Sequence, residues 1–349
     1  MTTSCKKMIF LVALGAAFFL GTVNGGLTAP FAHAQESDDD STPAPAKSKH
    51  KAKHHHHKKV ARAVYTPQHI ASYIVDVDTG KVLESENPDT LHYPASLTKM
   101  MTLYLTFEAL QKGTMTLNQP IPVSEYAAEQ PQTNIALSSG ETIRVRDAIL
   151  SIVVRSANDS AVTLGEALGG TESEFAEMMT RKAIALGMHN TVFRNASGLP
   201  NPGQHTTARD MVTLGMALRR DFPQYFPLFK TESFTYDGVT YLTHNHVMMR
   251  YEGVDGIKTG FIRAAGYNLV TSANRDGHHI VAAVLGGKTW RSRDDKMIAL
   301  LDKTFTQLDT LPGSNRVNLA ASVKNHKYSS LAKQKASEEE GEGDQPVEK

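Results

Sequence analysis

The segment PASLTKMMTLYL, residues 94–105, sets Ser96 and Lys99 three positions apart where an apolar run begins. Three residues is close to one helical turn, so the hydroxyl and the amine share a helix face within reach of each other. A pair of this kind can work as nucleophile and base. Spacing alone does not decide it, because Ser suits helix starts and Lys suits helix surfaces. The chain contains four S-x-x-K sequences, beginning at Ser4, Ser48, Ser96 and Ser330. Only the one at Ser96 opens a hydrophobic periodic run, continued by Leu97, Met100, Met101, Leu103, Tyr104, Leu105 and Phe107.

A nucleophilic serine also needs a proton donor for the leaving group, an oxyanion hole and a group that orients the substrate. The stretch VVRSANDSAV places Ser156 and Asn158 inside an apolar run, where two polar side chains are costly to bury without partners. The stretch VDGIKTGFIRAAGY places Lys258, Thr259 and Gly260 at the edge of a β-rich region, where Gly260 would let a ligand backbone come close.

The elements that must position these groups follow from periodicity and turn chemistry. ASYIVDVDTGKVLESENP alternates, turns at Asp78-Thr79-Gly80 and runs out again, which predicts two opening strands. AAGYNLVTSANRDGHHIVAAVLGG predicts two more strands around Asn274–Gly277, with a shorter one near Val254–Thr259 before them and a helix from Ser292 to about Leu308 after them. Helical patterns over Leu97–Gln111, Val145–Leu168, Ser173–Leu186 and Ala208–Arg219 fill the middle. Strands at both ends with helices between predict an α+β fold, a single antiparallel sheet flanked by helices with a helical lobe beside it. The site is expected between sheet and lobe.

The ends carry different information. Lys6 and Lys7, the apolar run MIFLVALGAAFFL and the small-residue pattern Ala32-His33-Ala34 predict a signal peptide over residues 1–34, hence an exported protein, periplasmic or extracellular. Residues 35–63, including KSKHKAKHHHHKK, hold almost nothing to bury and read as a disordered linker; clustered His and Lys would otherwise suit metals or polyanions. Residues 312–349 read as a polar tail with no amphipathic membrane anchor. The working domain is expected over residues 64–311. A net charge of +1 gives no reason to expect nucleic acid, and the only cysteine, Cys5, leaves the mature chain without a disulfide.

The ordered set SLTK, SAN and KTG resembles the three signature motifs of the serine penicillin-recognising enzymes. The flanks PASLTKMMT, ASGLP, TARDM, VDGIKTGFI, AGYNLV and GGKTWRSR resemble one branch, the low-molecular-mass penicillin-binding proteins of the serine D-alanyl-D-alanine carboxypeptidase type. A second S-x-N, at Ser272–Asn274, falls after KTG in a predicted strand. The resemblance spans about Ser72–Leu308 and implies a β-lactamase/DD-peptidase-like fold without metal or organic cofactor. Ser96 would attack the substrate carbonyl, and Lys99 would be the base, neutral because burial and the neighbouring Lys258 lower its pKa. Ser156 would relay a proton to the departing amine, and Asn158 would hold the substrate and Lys99. The backbone N–H groups of Ser96 and Phe261 would form the oxyanion hole.

Lys258, Thr259, Arg209 and Arg293 match positions that hold the substrate carboxylate in that family. Arg209, beside Asp210, equally suits packing at a helix start, and Arg293 follows a strand-to-helix connection that can aim it into the cleft. His244 and His246 lack a third ligand at a recognisable spacing and read as loop or cleft residues. Two departures stand out: Ala157 where the branch more often has Gly, and Phe261 where His is frequent. The implied partners are peptidoglycan stem peptides ending in D-Ala-D-Ala, with β-lactams as acylating inhibitors. The same motifs leave a D,D-endopeptidase open, and a non-catalytic cell-wall-binding protein is the reading from another class. A β-lactamase is disfavoured because no Glu-x-x-Leu-Asn segment lies between Asn158 and Lys258.

Overall fold

Ala71–Asp76 is buried throughout, polar Ser72 and Asp76 included, and forms strand β1. Asp76 Oδ1 accepts from the Asp78 and Thr79 amides at 2.9 and 3.0 Å, which fixes the turn into β2 (Val82–Glu86). The computed structural model describes residues 69–310. The expected signal peptide, linker and tail lie outside the described residues.

After a 3-10 turn at Ala95–Thr98 comes α1 (Lys99–Gln111), followed by β3 (Pro120–Pro122), α2 (Glu125–Ala128) and β4 (Thr142–Arg144). The helical lobe continues with α3 (Val145–Val154), α4 (Asn158–Gly169), α5 (Glu172–Ala185) and α6 (Ala208–Asp221). A hairpin of β5 (Ser233–Tyr236) and β6 (Val239–Leu242) and the short α7 (His246–Arg250) lead to β7 (Val254–Ile262), β8 (Gly266–Arg275), β9 (His278–Gly287) and α8 (Trp290–Asp309).

The main sheet runs β2-β1-β9-β8-β7, with every neighbouring pair antiparallel. Side chains alternate across it with period two. Tyr73, Val75, Val281, Ala283 and Leu285 face the helical lobe, whereas Ile74, Leu269, Ala282 and Val284 face Met297, Leu301 and Phe305 of α8. The expected architecture holds. Residues of α1 are buried nearly all round, with Met100, Met101, Leu103 and Phe107 fully enclosed, so this helix is the core of the lobe. Each such side chain contributes about 1.5–3 kcal/mol by leaving water.

The single helix expected over Val145–Leu168 is two. The chain breaks at Arg155–Ala157, where Ser156 takes a left-handed φ of 64° that no helix accommodates. The other helices match expectation within two residues at each end, with α6 running on to Asp221 and α8 beginning at Trp290. The β5–β6 hairpin, the β3–β4 pair and the short helices α2 and α7 add to the expected set.

Candidate active site

Ser96 sits in the 3-10 turn just before α1, held from behind by β7. A Cβ on Gly260 would stand 3.1 Å from Pro94 O, Ser96 N and Leu97 N. The space on the Cβ side of Gly260 is therefore filled by the protein's own backbone at the serine, while the residue also lines the cleft. On the other side, Gly198 (φ 86°) is closer still, since a Cβ there would lie 1.8 Å from Ala95 O. Two glycines thus wedge the serine turn between β7 and the loop after α5.

Lys99 is fully buried one turn further on. Its Nζ lies 3.1 Å from Ser96 Oγ, 2.7 Å from Asn158 Oδ1 and 2.6 Å from Ser197 O. The last two atoms only accept. As an ammonium, Nζ donates to all three; as a neutral amine it keeps two N–H donors for the carbonyl oxygens and turns its lone pair to the Ser96 hydroxyl. Burial, and next the charge of Lys258, hold the Lys99 pKa well below the ordinary lysine value, against the opposing pull of Asp159 and Glu172.

Asn158 opens α4 and is fixed from three directions. Its Nδ2 donates to Pro131 O at 2.8 Å and its N–H to Thr133 O at 2.7 Å. The loop supplying those carbonyls hangs on Asp159, whose Oδ2 accepts from Ile135 and Leu137 N–H at 3.0 and 3.1 Å. Ser156, in the break before α4, is buried, and its Oγ has no hydrogen-bond partner within the protein. It lines the same cleft as Ser96. A buried hydroxyl without a partner beside a nucleophile marks a place where a substrate atom can complete the bonding.

The cleft, about 380 Å³, brings together Ser96, Ser156, Asn158, Thr259, Gly260, Phe261 and Arg293. Phe261 is half exposed and its ring stacks on Tyr267 at 4.3 Å. Arg293 is buried, with Nε donating to Asp294 Oδ1 at 2.7 Å and Nη1 to Asn268 O at 2.8 Å. Lys258 does not line the cleft. It is buried, donates to Thr259 O at 3.1 Å, and has its pKa pushed down to about 7 by burial and then by Arg293.

Arg209 does not line the cleft. Its guanidinium takes both oxygens of Asp89 at 2.7 and 2.8 Å, donates to Tyr73 OH at 2.8 Å and covers the Tyr73 ring. A fork already occupied this way ties α6 to the loop before α1. Sequence reasoning missed Ser197, Gln132, Thr133 and Trp290, all on the cleft wall, and Glu172, whose Oε1 accepts from Ala196 N–H at 2.9 Å next to the carbonyl that meets Lys99. ASGLP was the available signal for Ser197, but it works through a backbone oxygen. His244 and His246 do lie in the cleft.

This sheet, lobe and cleft define the β-lactamase/DD-peptidase-like class of fold. The chain belongs to the D-alanyl-D-alanine carboxypeptidase family, peptidase S11, whose model matches residues 60–289. Among curated relatives it is 34% identical over 268 residues to D-alanyl-D-alanine carboxypeptidase DacF of Bacillus subtilis, covering 73% of this chain and 66% of that one. It is 35% identical over 248 residues to DacA of Escherichia coli, covering 69% and 62%. The chain therefore spans a little under two thirds of the length of these relatives. Among solved structures, penicillin binding protein 5 of Haemophilus influenzae superposes with a TM-score of 0.66 at 32% identity, over 68% of this chain and 70% of that one. Penicillin-Binding Protein D2 of Listeria monocytogenes, in its cefotaxime-bound form, superposes with a TM-score of 0.62 at 30% identity, over 67% and 96%.

Proposed function

We propose that this chain is a serine D-alanyl-D-alanine carboxypeptidase that removes the terminal D-alanine from peptidoglycan stem pentapeptides. The observation that carries the reading is Lys99: a fully buried amine 3.1 Å from Ser96 Oγ whose other two neighbours can only accept. Lys99 takes the Ser96 proton as the oxygen attacks the carbonyl of the penultimate D-alanine. Ser96 and Phe261 N–H groups receive the developing oxyanion. Ser156 Oγ passes a proton to the departing amine, and the C–N bond breaks to leave an ester on Ser96. Water then hydrolyses that ester and restores the serine. Thr259 and Arg293 hold the substrate carboxylate, while the buried Lys258 supplies charge rather than contact. Residues 64–311 are the catalytic domain, and export by the segment 1–34 places it at the cell wall. β-Lactams acylate the same serine, as the cefotaxime-bound relative suggests.

The test is mass spectrometry of muropeptides after incubation with the wild type and with Ser96→Ala. Loss of one alanine from pentapeptide monomers, absent in the variant, is expected. Conversion of cross-linked dimers to monomers instead would make the chain an endopeptidase, and no change in either would return it to a binding role.

A further inference from the structure

Arg293, the buried cation at the cleft, carries its own counter-ion. The adjacent Asp294 is fully buried, and its Oδ1 accepts from Arg293 Nε at 2.7 Å. The pair is close to neutral as seen from the cleft, so it attracts an anionic substrate less than a lone guanidinium would. The other oxygen, Oδ2, points to His246 Nδ1 at 3.8 Å. His246 is the first residue of α7, lines the same cleft as Ser96 and Arg293, and keeps about a quarter of its side chain exposed. The Trp290 ring meets it edge-on at 4.8 Å and fixes its plane.

We propose that His246 is a positioning residue of the substrate-carboxylate anchor: as imidazolium it compensates Asp294 and leaves the charge of Arg293 to the substrate. The inference rests on the carboxypeptidase reading above and adds a determinant to it. Charged groups lie on both elements packed beside α7. From α8 come Asp294, Arg293, Asp295 and Arg291, of which Asp295 pairs with Arg250 of α7 and Arg291 covers Trp290. From β7 come Lys258, buried and donating to Thr259 O, and Asp255, which is held by Arg219. His244 shares the cleft. Imidazole is the side chain whose ordinary charge change falls between pH 5 and 8. Substrate carboxylates stay ionised across that range, whereas Lys258, pushed down to about 7, titrates within it, so the part played by His246 is read from the ratio of variant to wild type. The expected consequence is tighter substrate binding as pH falls, separate from any effect on the Lys99 base.

The experiment measures KM and kcat for an N-acylated L-Lys-D-Ala-D-Ala peptide and for its C-terminal amide, from pH 6 to 8, with wild type, His246→Gln, His246→Lys and His244→Gln. For the acid peptide, KM of His246→Gln over wild type is expected to be near 1 at pH 8 and to rise about 5-fold by pH 6, with kcat changed less than about 2-fold. His246→Lys should hold the low KM up to pH 8. With the amide the ratio should stay flat. A flat ratio for the acid, or a rise given by His244→Gln alone, overturns the inference. A wild type that neither cleaves the peptide nor is acylated by penicillin at any pH overturns the parent reading instead.

Discussion

Lys99 is the residue on which the chemistry turns, and its protonation is set by burial and three charged groups. Burial and Lys258 lower its pKa, whereas Asp159 and Glu172 raise it. Glu172 is the accessible control, since it touches the Ala196 amide and Tyr126 OH but does not line the cleft. Replacing it by Gln removes a negative charge and keeps an acceptor. The Lys99 pKa should fall further, and the acid limb of the acylation rate, followed with a fluorescent penicillin, should move down by about 0.5 pH unit. An unmoved limb would leave Glu172 only the task of holding the loop. At this scale Ser96, Lys99, Ser156 and Asn158 were legible because their chemistry resides in side chains at short spacings. Ser197 was not, because it acts through a carbonyl. Arg209 was open to two readings because its partner, Asp89, lies 120 positions away.

The elements around the serine are held at close quarters, and the tightest point is Gly198. An Ala there would need a left-handed backbone and would set a carbon 1.8 Å from Ala95 O, so either the ASGLP loop or the serine turn has to move. Because Lys99 reads its position from both, Gly198→Ala is expected to slow penicillin acylation by about 100-fold and to lower the melting temperature. A variant that acylates at the wild-type rate would show that the loop yields without disturbing the serine. The sheet and most helices were legible from their periods. The break between α3 and α4 was not, since Ala and Val continue the apolar run on both sides and the left-handed Ser156 is imposed by tertiary contacts, among them Thr133 Oγ1 on Ser156 O at 3.0 Å. The β5–β6 hairpin did leave a signal, Asp237-Gly238, both at positive φ as a two-residue turn requires.

For the whole molecule, the buried amines are a stability cost that function retains. Lys258 titrates near 7 in the folded chain against an ordinary 10.5. Below about pH 7 the amine is charged in both states and the penalty is full, on the order of 4 kcal/mol. Between about 7 and 10.5 the unfolded chain binds the extra proton, so folding gains stability as pH rises, and above that range the penalty is gone. Lys258→Met should therefore be more stable than wild type at pH 7, with the difference shrinking by pH 10, as read from urea midpoints. A difference independent of pH would mean that the amine titrates alike in both states. The site also draws on distant parts of the chain: the serine turn at 96, the helix break at 156, the loop at 197, β7 at 258 and the first turn of α8 at 293. No fragment ending before α8 contains the complete set. A reagent that esterifies Ser96 thereby becomes a census of finished molecules, and its stoichiometry after refolding would measure yield, leaving collapsed or half-assembled chains uncounted.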